Sequence, residues 1–130
     1  MGSRFEVTCD GRDHQFMVDE GGGFLFHLLH CDACGHEKLV SFADLGDLHA
    51  RYLKGLPGPY CVASEASDEW IKQHHPGPPL SEKEYESEVE RIAARCTCGG
   101  QYRFDAPPRC PKCRSAGLTQ NPGGQFILYD

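Results

Sequence analysis

The sequence predicts a small α+β protein in which two cysteine-bearing β modules are joined by a helical insert. Three observations predict it. The 130 residues carry eight cysteines, seven of them near the two ends of the chain. Apolar residues alternate with polar ones at both ends, the period of a half-buried strand, whereas the middle shifts to the 3.6-residue period of helices. Hydrophobic residues make up 39 % of the chain, beside 15 Gly and 9 Pro, so a single large apolar core is not expected and cross-linking of some kind is.

Residues 4–20, "RFEVTCDGRDHQFMVDE", place Phe5, Val7 and Cys9 on one alternation and Phe16 and Val18 on another around "CDGRD". Two short strands about a tight turn fit this pattern. After "EGGG", the run "FLFHLLHCDACGHEKLVSF" predicts two further strands meeting at "CDACG", which completes a module over residues 1–40. "SFADLGDLHARYLKGLPG" then reads as a helix capped by Ser41, with Gly46 as a weak point and Gly55 and Pro57 as its end. A Pro- and Gly-rich connector follows, with a short helix near residues 68–73. The best-marked helix is "LSEKEYESEVERIAARC": Ser81 and Glu84 form a capping box, Leu80 staples onto Tyr85, and Tyr85, Val89, Ile92, Ala93 and Cys96 make its apolar stripe. Residues 41–95 are thus the helical insert and linker, and residues 96–130 the C-terminal module.

Within "CTCGGQYRFDAPPRCPKC", Cys96 and Cys98 form one close pair and Cys110 and Cys113 another. Two close thiol pairs on facing turns are what tetrahedral coordination of a zinc ion demands. "QYRF" reads as an outgoing strand, "DAPPR" as the reversal and "GGQFILYD" as the closing strand. The N-terminus has neither the basic nor the apolar region of a secretory signal, so a reducing cytoplasm is expected, where such pairs point to metal before disulfides.

This stretch resembles a zinc ribbon, with "CPKC" as the second of two rubredoxin-like knuckles. The likeness runs from Cys96 to Asp130, and it departs from the pattern at "CTC", one residue shorter than a usual knuckle. In the N-terminal module, which looks like the first ribbon of small bacterial proteins with two such modules, Cys31 and Cys34 form a Cys-x-x-Cys pair. Cys9 is followed by Arg12 where a second cysteine would stand, and Arg cannot ligate a cation. Cys9, His14, Cys31 and Cys34 are the expected first site, with His30, His36 and Cys61 as competing fourth ligands. One or two Zn²⁺ per chain follow. Iron is the less favoured occupant, since all-sulfur tetrahedral sites accept it and Tyr102, Phe104 and Phe126 could shield it.

No zincin, deaminase, phosphate-loop or nucleophile-elbow pattern occurs, so no enzyme is expected. No apolar run is long enough to cross a bilayer. Formal charge is −6 overall, split as −4 over residues 1–40, −5 over 41–94 and +3 over 95–130. That balance favours a protein partner, with Trp70 and Tyr60 as contact candidates, over nucleic acid. A nucleic-acid-binding ribbon using Arg95, Arg103, Arg109, Lys112 and Arg114 is the runner-up, and rubredoxin-like electron transfer the third reading.

Overall fold

A computed structural model describes residues 2–130. Among these the chain forms seven strands in two antiparallel sheets, four α-helices and a 3₁₀ turn: β1 (Gly2–Cys9), β2 (Gln15–Glu20), β3 (Phe26–Cys31), β4 (Glu37–Ser41), α1 (Phe42–Leu45), α2 (Asp47–Gly55), the turn Val62–Ser64, α3 (Glu65–His74), α4 (Glu82–Ala93), β5 (Tyr102–Arg103), β6 (Leu118–Gln120) and β7 (Phe126–Tyr129). The fold is α+β, as the mixed periodicities require.

Each N-terminal strand pair is a hairpin, β1 with β2 and β3 with β4. The C-terminal strands do not close a hairpin of their own. β5 joins the free edge of β3, opposing His30 to Arg103 and Cys31 to Tyr102. β6 and β7 share the free edge of β1, which opposes Cys9 to Leu118 and Phe5 to Phe126. Residues 1–40 and 96–130, expected as separate modules, therefore contribute strands to both sheets together. The reason lies in "APPR": consecutive prolines hold the chain extended and lack N–H donors, so this segment carries the chain from one sheet to the other.

The helical insert packs on the second sheet. Tyr85, Val89 and Ala93 of α4 are buried in one cluster with Leu29, Val40, Leu45, Tyr102, Cys31 and Cys96, and Leu80 packs against it from just before the helix. Burial of each large apolar side chain contributes about 1.5–3 kcal/mol. Ile92, assigned to the same stripe, is 38 % exposed, and the helix ends at Ala93 rather than running to Cys96. Ser81 caps α4 by accepting from the Glu84 N–H at 3.2 Å, and its hydroxyl donates to the Glu84 carboxylate at 3.0 Å. Gly46, at φ 53°, divides the expected Ser41-capped helix into α1 and α2.

Between the insert and β3 lies a buried polar chain. His27 Nε2 and His49 Nδ1 both meet the Tyr85 hydroxyl, at 2.7 and 3.0 Å, and Tyr52 stacks on the Tyr85 ring with centroids 4.0 Å apart. Burial pulls both imidazoles down to about 4, so they are neutral at pH 7.

Candidate metal centres

Four turns bear the clustered cysteines, and they share one backbone design. At Cys31 the N–H donates to the His36 carbonyl at 2.9 Å, and the carbonyl accepts from Gly35 N–H at 3.0 Å. At Cys110 the same two bonds run to Ser115 at 2.9 Å and from Arg114 at 2.8 Å. At Cys9 they run to His14 at 2.9 Å and from Asp13 at 3.0 Å. The fourth residue after the cysteine takes a positive φ each time: Gly35 at 78°, Arg114 at 64° and Asp13 at 52°. Cys96 heads a version shortened by one residue, with bonds to Gly100 and from Gly99, both 2.9 Å, and Gly99 at φ 95°. The "CTC" departure is thus absorbed by a tighter turn that only glycine closes without strain.

Strand pairing decides which turns face each other. Because β5 lies against β3, the Cys31 and Cys96 turns meet, and Cys31, Cys34, Cys96 and Cys98 bring their sulfurs within 4.8 Å of one another. Sulfur separations are 3.5 Å for Cys31 to Cys98 and 3.6 Å for Cys34 to Cys96. The second group is Cys9, Cys110 and Cys113, with Cys9 and Cys113 3.4 Å apart. The first group is nested in sequence inside the second. This corrects the sequential grouping, in which Cys96 and Cys98 shared a site with Cys110 and Cys113, and Cys9 with Cys31 and Cys34. Short sequence separation favoured that grouping, but the edges of β1 and β3 outweigh it.

The expected fourth ligands lie elsewhere. His14 uses its carbonyl to close the Cys9 turn while its ring stacks on Phe16, centroids 5.5 Å apart. His36 Nδ1 is 2.7 Å from the Tyr102 hydroxyl, and His30 is buried with Nε2 3.8 Å from Glu37. Cys61 bonds Ser64 at 3.3 Å on the connector. Phe126, expected beside the C-terminal cysteines, is 55 % exposed on β7 and stacks on Phe5.

Both groups fit a tetrahedral cation. Metal–sulfur bonds of about 2.3 Å imply sulfur–sulfur edges of about 3.8 Å, close to the separations observed and far beyond the roughly 2.05 Å of a disulfide. All eight cysteines are free thiols. The electrostatics of the four-thiol group point the same way. The Cys98 N–H and the Tyr102 hydroxyl draw Cys96 down to about 6, whereas burial pushes Cys34 up to about 12, and burial and the Cys96 contact push Tyr102 up to about 12. Cys96 gives up its proton readily while Cys34 resists; a divalent cation removes that resistance.

Several contacts lock the first group in place without a sequence motif to announce them. Asp32 Oδ1 accepts from the Gln101 N–H at 2.9 Å, and the Asp32 N–H donates to the Gln101 carbonyl at 2.9 Å, tying the two turns together. Gly100 is obligatory for space: a Cβ there would lie 2.5 Å from Cys31 Sγ and 2.8 Å from Ala33 Cβ.

Fold and site together define a small α+β protein with two cysteine clusters that could each hold a metal ion. The chain belongs to the family described as Domain of unknown function (DUF8255), which matches residues 5–119 and so spans every clustered cysteine. No curated protein and no solved structure matches the chain.

Proposed function

We propose that this is a zinc-binding structural protein of the zinc-ribbon type, an accessory or adaptor that presents a metal-stapled surface to a protein partner in the cytoplasm. The observation that carries it is the four-sulfur group Cys31, Cys34, Cys96 and Cys98, whose spacing matches a closed zinc tetrahedron. Cys31 and Cys96 also belong to the buried cluster beneath α4, so an ion there would staple sheet and helix through one point. Closed four-thiolate sites serve structure, which favours a non-catalytic role. Apparent binding energies for structural zinc, about 10–16 kcal/mol, exceed what so small a core supplies on its own.

A protein partner is favoured by net acidity and by the exposed side chains of Leu25, Leu39, Trp70 and Leu128. Tyr60 is withdrawn from that surface, packing edge-on to Phe42 in the aromatic cluster. The basic residues of the nucleic-acid reading are partly committed within the chain: Arg103 pairs with Asp105 at 3.1 Å, and Arg95 and Arg109 donate to the Gly99 and Arg114 carbonyls. Metal analysis of natively purified protein tests the reading. Colourless protein with stoichiometric zinc, melting on chelation, is the expected result; a metal-free folded chain indifferent to chelators would overturn it, and a red iron-loaded chain would favour electron transfer.

A further inference from the structure

The Cys9 turn repeats, bond for bond, the backbone of the turns that carry Cys31 and Cys34 and Cys110 and Cys113. In those turns the third residue after the first cysteine is the second cysteine. Here it is Arg12, which is exposed. From this juxtaposition we propose that Cys9, Cys110 and Cys113 form an open metal centre whose fourth corner takes an exogenous anionic donor, a small-molecule thiolate. This inference rests on the metal reading above and adds that the two centres differ in kind, one closed and one exchangeable.

Three observations support it. First, among the described residues no histidine nitrogen or carboxylate oxygen joins the three sulfurs within ligand range. The nearest acidic neighbour in sequence, Asp10, spends its Oδ1 on the Thr119 hydroxyl at 2.6 Å, and the His14 ring lies on Phe16. Second, the centre borders solvent: Cys9 and Cys110 are fully buried, whereas Cys113, Lys112 and Arg114 are exposed, as is Arg12. Third, softness selects the donor. Three thiolates and a dication leave a net charge of −1, which the two turns balance, because Arg12, Lys112 and Arg114 exceed Asp10 and Asp13 by one positive charge. A thiolate matches the softness of the three sulfurs already present. Three protein ligands with a fourth position open is the arrangement by which zinc proteins admit an outside ligand. On entry the thiol gives its proton to solvent, its sulfur forms the fourth bond to the metal, and the solvent molecule at that corner leaves.

The test uses the full chain loaded with two equivalents of Co²⁺, whose visible absorption reports coordination, titrated with 2-mercaptoethanol. A saturable change confined to one of the two ions is expected, with imidazole giving a weaker response. Arg12→Cys completes the fourth turn; it should abolish the response and tighten binding of the second ion at least about tenfold, the lower end of what even outer-shell changes to a site produce. Cys113→Ser should keep one ion and show no response, with circular dichroism confirming that both variants fold. Two ions bound with no response to the thiol, or an undiminished response in Arg12→Cys, would overturn the open corner alone. Uptake of fewer than two ions by the unaltered chain would overturn the metal reading of this centre, and the open corner with it.

Discussion

Replacing Gly100 by alanine is the sharpest perturbation of the four-thiol centre that leaves every sulfur in place. The added methyl group would stand 2.5 Å from Cys31 Sγ, 2.8 Å from Ala33 Cβ and 3.0 Å from Asp32 Oδ1. Ordinary carbon–sulfur contact requires about 3.5–4 Å, so Cys31 or the whole turn must retreat by roughly 1 Å. Neither can do so freely. Cys31 is fully buried at the end of β3, and its turn is tied to the Gln101 backbone by two 2.9 Å bonds through Asp32. Overpacking of this kind costs about 1–3 kcal/mol. If the cost falls on the metal-bound state, affinity drops roughly 5- to 150-fold, since about 1.4 kcal/mol is one factor of ten. Competition against a chromophoric chelator measures it, with Gly58→Ala as control because a Cβ at Gly58 meets nothing within 4 Å. Equal metal affinities for the two variants would refute the placement of Gly100 against the Cys31 sulfur.

Other outcomes follow from the same geometry. His27 and His49, held near 4 by burial against an ordinary value of about 6.5, bind fewer protons folded than unfolded. Their contribution is therefore fully present above pH 6.5 and is lost as pH falls from about 6.5 to 4. His49→Gln should flatten the melting temperature's dependence on pH in that window, relative to the unaltered chain; an unchanged slope would contradict it. Ser81→Ala removes the cap of α4 and should cost about 1 kcal/mol in denaturant unfolding, without altering metal stoichiometry. A loss of metal in that variant would contradict the separation of cap and site.

Much of this architecture is written locally in the chain. The hairpins show in the alternation of Phe5, Val7, Phe16 and Val18, and α4 in Ser81, Glu84, Tyr85 and Val89, because strand and helix periods are properties of neighbours. The partners of the strands are not local. Cys110 lies closer in sequence to Cys98 than to Cys9, yet β6 adds to the edge of β1 that ends in Cys9, and Pro107 and Pro108 keep the chain extended between the sheets. Of the expected ligands, the structure gathers seven cysteines into two clusters but leaves His14 outside both. Four cysteine turns, two of them incomplete or shortened, can combine in more than one way, and contiguity alone does not choose among them.

The nested grouping is tested most directly by the zinc content of the double variant Cys31→Ser/Cys98→Ser, measured by native mass spectrometry. Both cysteines belong here to one centre, so the double variant should lose one ion and keep the other, held by Cys9, Cys110 and Cys113. Loss of both ions by a double variant whose circular dichroism stays native would place Cys31 and Cys98 in separate centres and contradict the pairing of β3 with β5 on which the site depends.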